Sequence, residues 1–146
     1  MEGDQERGIA CIRKFHRKLA LLAELYTSAD GYVVVSAECN HSIPPGLSNL
    51  IDYFAEEYAF RPSAIVCYSV GPFGGVGAAR QLPVLLPEVA MSPIVSMQVI
   101  PRIVETLDCN SIAFIEEFAQ KSGRFFDEFD WYMRAMKTER QKGLPR

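Results

Sequence analysis

Apolar residues return every three or four positions from Ile9 through Ile12, Phe15, Leu19, Leu22 and Leu25 or Tyr26, with Arg13, Lys14, Arg17 and Lys18 between them. This spacing predicts an amphipathic helix ending near Ser28. Asp30-Gly31 then reads as a turn. The run Tyr32-Val33-Val34-Val35-Ser36 is apolar and β-branched without alternation, the mark of a strand covered on both faces. A polar, proline-rich loop follows from Ala37 to Pro45. Leu47, Leu50, Ile51, Phe54 and Tyr58 recur at helical spacing and predict a helix of about three turns.

The same alternation of element types continues. Ala64 to Ser69 reads as a second buried strand, and the glycine-rich stretch from Gly71 to Gly77 as a turn into a third helix near Ala78. Pro83 and Pro87 fall inside that helix, where each removes a hydrogen bond, so a kink or early stop is expected there. Ile94 to Val99 supplies a third strand. Asn110-Ser111 can cap a long final helix with the stripe Ile115, Phe118, Phe125 or Phe126, Phe129, Met133 and Met136, with Gly123 as its point of interruption. Trp131 and Met136 read as core or subunit interface. Strands alternating with helices imply crossovers onto a parallel sheet with helices on both sides, a doubly wound three-layer α/β/α domain.

Composition narrows the function. With 146 residues, 49% of them hydrophobic and 23% charged, the chain suits one domain with a real core. The formal charge is −3, and no third of the chain is strongly cationic, which argues against nucleic acid as a partner. No apolar run approaches the roughly 18 residues of a membrane span or resembles a signal-peptide core. A cytoplasmic protein with no membrane partner is expected. Cys11, Cys39, Cys67 and Cys109 are widely spread with no C-x-x-C pair, so reduced thiols and no metal site are expected.

In an open parallel sheet ligands sit beyond the carboxyl ends of the strands, and the loops 37–45 and 70–77 both lie there. Glycines permit close backbone approach to a flat or anionic ligand, and the first amides of the next helix favour negative charge. The glycine loop lacks the Lys-Ser or Lys-Thr of a nucleotide P-loop. As a dinucleotide fingerprint, Gly75-x-Gly77 is followed by Arg80 where a third small residue is wanted. Taken singly, Glu38 could be a solvated carboxylate, Asn40 and Ser42 turn formers, and His41 a surface residue.

Residues 37–52, AECNHSIPPGLSNLID, followed at 68–82 by YSVGPFGGVGAARQL, closely resemble the NADPH-dependent FMN reductase family. The similarity continues through Met91-Ser92-Pro93-Ile94 and into 129–137, covering most of residues 29–140. The resemblance implies a flavodoxin-like fold, FMN at the strand ends, and hydride passing from NADPH through FMN to a flavin, quinone or similar small-molecule acceptor. It also implies a homodimer or homotetramer, with the helix after Pro44-Pro45 forming much of the dimer face. By the same resemblance Glu38, Cys39, Asn40 and His41 would lie along the isoalloxazine ring, and Ser69, Gly71, Pro72, Phe73, Gly74 and Gly75 along its other edge. No side chain is assigned as a catalytic acid or nucleophile.

Two departures stand out. Family members open with a strand and a Gly-Ser-x-Arg-x-x-Ser-type loop that holds the FMN phosphate, whereas this chain opens with a helix over 1–28 ahead of a family-like core at 29–146. It thus looks like the carboxyl-terminal two-thirds of a reductase, amino-terminally truncated, with a sheet edge exposed unless the first helix covers it. Cys39 stands where the family usually has tyrosine. The alternative to a reductase is a catalytically inactive form acting as an oligomerisation or interaction module. A flavodoxin-like electron carrier would want a more acidic face than −3 provides.

Overall fold

The valine-rich and isoleucine-rich runs do form strands of one sheet with helices on both of its faces, but only the middle strand is covered on both sides. The computed structural model describes residues 16–108 and 112–144. Along the chain come α1 (residues 16–28), β1 (Tyr32–Ala37) and α2 (Pro45–Ile51), then a 3-10 turn at Glu56–Tyr58 and β2 (Arg61–Tyr68). They are followed by α3 (Val76–Glu88), β3 (Met91–Ile100), α4 (Ile103–Asp108) and α5 (Ile112–Gln141). The strands form one parallel sheet in the order β1-β2-β3.

Residues of β2 and β3 feed two cores, whereas those of β1 join only the first among the described residues. On one face Val34, Ile65 and Cys67 meet Ile51 and Phe54 of the α2 region and Ala78, Ala79, Leu82 and Leu86 of α3, with Leu19, Leu22, Ala23 and Tyr26 of α1 against them. On the other face Ala64 and Ile94 meet Phe125 and Phe129 of α5. Burial on both faces explains the unbroken apolar run of β2, whereas β1, expected to be covered on both sides, is buried on the Val34 side and open at Val33 and Val35. This is the flavodoxin-like α/β arrangement that the pattern predicts.

Among the described residues β1 has β2 as its sole sheet partner, so β1 forms an edge of the described sheet. α1 rests on the face of the sheet, through the first core, rather than pairing with that edge. Val33 and Val35, on the face of β1 opposite Val34, are exposed. Arg61 fastens α1 in place: its guanidinium donates to the carbonyls of Thr27 (2.5 Å), Ala29 (2.6 Å) and Ala59 (3.1 Å). The first two belong to the end of α1 and the turn after it, where carbonyls lack helical partners.

The pairing of β2 with β3 slips between Ser63 and Ile65, whose partners are Pro93 and Met97. Two extra residues therefore bulge out of β3. Glu128 of α5 accepts from the Val95 amide (3.0 Å), the Ser96 amide (3.4 Å) and the Ser96 hydroxyl, so the displaced amides are not left without acceptors.

Several sequence expectations are corrected. The helix expected from Leu47 to Tyr58 stops at Ile51, and only a 3-10 turn re-forms at Glu56–Tyr58. Ile51, Phe54 and Tyr58 are nevertheless buried, the last two in an aromatic cluster with Tyr26 and Tyr32, while Leu47 is half-buried and Leu50 exposed. α3 runs to Glu88 through both Pro83 and Pro87. Fully burying Leu82 and Leu86 contributes about 1.5–3 kcal/mol each, of the same size as the roughly 3 kcal/mol that each interior proline costs. α5 does not break at Gly123, Phe125 rather than Phe126 is the buried member of the pair, and Trp131 is exposed. The short helix α4 was not anticipated, and the proposed cap at Asn110-Ser111 lies outside the described residues.

Candidate functional site

The two loops singled out above leave the carboxyl ends of adjacent parallel strands. β1 ends at Ala37, and the next residues form a tight hairpin. The Cys39 amide donates to the Ser42 carbonyl (3.0 Å) and the Ser42 amide to the Cys39 carbonyl (2.9 Å). Its two tip residues, Asn40 and His41, have φ of 50° and 59°, the left-handed values of a type I′ turn. Asparagine accepts this readily, whereas histidine adopts it at a cost of order 1 kcal/mol. The Cys39 and His41 side chains are exposed.

β2 ends at Tyr68, and residues 69–75 form the second wall. The Ser69 hydroxyl donates to the Gly71 carbonyl (3.1 Å), which also accepts from the Arg102 amide (3.0 Å). The Ile103 amide donates to the Ser69 carbonyl (3.0 Å), tying the loop to the start of α4. Gly74 and Gly75 have φ of 65° and 79°. A Cβ at Gly75 would sit 2.9 Å from the Tyr68 carbonyl oxygen, and one at Gly74 would sit 3.1 Å from the Ile100 and Pro101 nitrogens. These glycines thus serve the chain's own close packing as well as leaving the loop slim. Gly71, Pro72, Phe73 and Val70 remain exposed along the rim.

The walls are joined through α3. Glu38 Oε2 accepts from the amides of Gly77 (2.5 Å) and Ala78 (3.3 Å), placing a carboxylate on the positive end of the helix. Its other oxygen lies 3.4 Å from His41 Nδ1. One turn further on, Gln81 donates from Nε2 to the His41 carbonyl (2.9 Å) and accepts the Ser42 hydroxyl at Oε1 (2.8 Å). Burial first, and then the Glu38 charge, push the thiol of Cys67 in β2 up to about 11.

The anion expected at the start of α3 is therefore the protein's own. Of the sequence-assigned residues, Cys39, Asn40, His41, Gly71, Pro72 and Phe73 are exposed on the two loops and Ser69 is half-buried. Glu38 meets α3 with its carboxylate, and Gly74 and Gly75 are buried beneath the rim. Gln81 was missed as a site residue, although its four-residue step from Gly77 places both on one helix face. A separate cavity of about 540 Å³ lies beside Phe60 and Met136 at the opposite end of the strands, away from these loops.

A three-stranded parallel sheet with helices on both faces and its two unusual loops at adjacent strand ends is a flavodoxin-like arrangement, the class of fold in which ligands sit beyond the strand ends. The profile of the NADPH-dependent FMN reductase family matches residues 4–104, and the chain belongs to that family. Quinone reductases of Escherichia coli K12 and of Shigella flexneri are each 35% identical to it over 85 residues, 53% of this chain and 45% of theirs. The chain thus spans about half the length of the curated relatives it matches.

The residues present fit the ring end of FMN. Exposed Asn40, His41, Gly71, Pro72 and Phe73, with half-buried Ser69, bring polar groups and one aromatic face to the ends of β1 and β2, a chemistry suited to a planar heteroaromatic ring. They do not offer α3 as a phosphate cradle, because its first amides already hold Glu38.

Proposed function

We propose that the chain is an FMN-dependent NAD(P)H oxidoreductase that reduces a quinone, a flavin or a similar small acceptor. The observation that supports it most is the convergence of the 38–42 hairpin and the 69–75 loop at adjacent strand ends, braced by one helix. Bound FMN supplies two-electron chemistry, taking hydride from NADPH and delivering it, with a solvent proton, to the acceptor. The protein's part is positional. Cys39, Asn40 and His41 hold one edge of the ring by their backbone, and Ser69 and the 71–75 backbone hold the other. Amides pointing into such a gap stabilise negative charge developing on a ring without any side-chain acid. Glu38 carries the hairpin and does not itself face the ring.

A homodimer or homotetramer belongs to the same reading, and exposed Val70 and Phe73 supply apolar surface for it. So does a cytoplasmic location, and no described helix is long and apolar enough to cross a membrane. A second reading, an inactive oligomerisation module, is favoured by the edge position of β1 with Val33 and Val35 exposed. Titrating the chain with FMN, following flavin fluorescence and absorbance, and then adding NADPH and a quinone separates them. Saturable binding with acceptor-dependent NADPH oxidation is expected. A folded chain that leaves the flavin signal unchanged refutes the reductase reading.

A further inference from the structure

We propose that Gln81 is a positioning residue: it braces the 38–42 hairpin in the shape that receives the flavin, which rests on the reading above. Both ends of its amide are engaged. Nε2 reaches the His41 carbonyl at 2.9 Å and Oε1 takes the Ser42 hydroxyl at 2.8 Å, so one side chain on α3 grips two consecutive residues of the turn. Those residues need gripping. Asn40 and His41 both sit at left-handed φ, and a strained two-residue turn of non-glycine residues persists only when its surroundings over-determine it.

A second observation shows that α3 is shaped to this hairpin. A Cβ on Gly77 would lie 2.7 Å from the His41 carbonyl oxygen and 2.7 Å from Glu38 Oε2. The helix surface is hollowed at 77 and extended at 81, four residues on, and the hairpin lies across that step. The exposed side chain of Gln81 adds nothing to the apolar core, which separates its role from that of Leu82 beside it. Because Gly75 caps the same helix, α3 fixes the spacing of both walls of the gap.

The test compares wild type, Gln81→Ala, Ser42→Ala, the double variant, and Val84→Ala as an exposed control on the same helix. Amide hydrogen exchange is measured on the flavin-free chain, and FMN affinity by fluorescence. In Gln81→Ala, exchange of the Cys39 and Ser42 amides is expected to rise about tenfold and FMN affinity to fall about tenfold, the scale of one to two net hydrogen bonds. The urea midpoint should fall by no more than about 1 M at unchanged slope. Ser42→Ala shows a smaller loss, the double variant resembles Gln81→Ala, and Val84→Ala matches wild type in both. Unchanged exchange at Cys39 and Ser42 in Gln81→Ala overturns the brace. Raised exchange with wild-type FMN affinity overturns its link to the flavin. Failure of wild type to bind FMN sinks the reductase reading and with it that link, while the exchange arm still decides the brace.

Discussion

Replacing Gly77 by alanine tests the joint between the two loops, and its sign is not obvious in advance. An alanine in a helix is favoured over glycine by up to about 1 kcal/mol, less in the first turn. Against this, the new methyl would lie 2.7 Å from the His41 carbonyl oxygen and 3.0 Å from its carbon, where ordinary contact begins near 3.4 Å. Glu38 could rotate away, but the His41 carbonyl is backbone and must retreat by several tenths of an ångström. That movement stretches the 2.9 Å bond from Gln81 and disturbs the Glu38 cap at 2.5 Å. Overpacking costs about 1–3 kcal/mol and the weakened bonds about 1 kcal/mol more. The net is a destabilisation of about 2 kcal/mol. Gly123, inside α5, has nothing within 4 Å of its would-be Cβ and no left-handed φ, so Gly123→Ala should stabilise by roughly 0.5–1 kcal/mol. Urea unfolding followed by far-ultraviolet circular dichroism should move the two midpoints in opposite directions, by up to about 1 M for Gly77→Ala at unchanged slope. A Gly77→Ala midpoint at or above wild type would refute the close approach of the hairpin to α3.

Phe125→Ala removes the largest fully buried side chain of the second core and should cost about 3–5 kcal/mol in thermal or urea unfolding, whereas exposed Phe126→Ala should cost under about 1 kcal/mol. Equal losses would contradict the observed face of α5. Arg61→Met removes three donors from the carbonyls at 27, 29 and 59 and should cost about 2 kcal/mol, with hydrogen exchange rising first in α1. For Glu128, the Ser96 hydroxyl above all, and then the Val95 and Ser96 amides, hold the carboxyl below its usual 4.5. A depressed folded-state value means its contribution is present above the unfolded pKa and lost as pH falls through the folded one. Glu128→Gln should therefore lower the urea midpoint at pH 7 and match wild type once the carboxyl is protonated; a pH-independent difference would exclude the linkage. A thiol reagent should lose one fast equivalent in Cys39→Ser and none in Cys67→Ser, since burial keeps Cys67 protonated with its thiol near 11.

The strands, the parallel sheet and the two loops were all legible because each rests on local, repeated chemistry. Ile65 to Cys67 read correctly as a doubly covered strand, Val33 to Val35 as a strand although one of its faces is open, and Gly71 to Gly77 as a slim turn into a helix. Motif residues carried the family as well, and the family match confirmed it. Helix limits were less legible. Phe54 and Tyr58 keep helical spacing and reach the core without a helix, since aromatic contacts with Tyr26 and Tyr32, distant in sequence, place them there. Pro83 and Pro87 violate a local rule that the burial of Leu82 and Leu86 overrides.

The sequence by itself determined the element order, the buried character of the sheet and the end of it where a ligand belongs, because periodicity and turn chemistry act over a few residues. Only the tertiary structure decided what the charged and polar residues do. Glu38 reads equally well as a ligand contact or a solvated carboxylate until Gly77, 39 positions away in the chain, brings its amide within 2.5 Å. Gln81 lies inside the 68–82 motif, yet nothing local marks it out, and it meets a left-handed turn that forms 40 residues earlier. Hydrogen-bond partners across such separations are set by how the strands align, and no local pattern records that register.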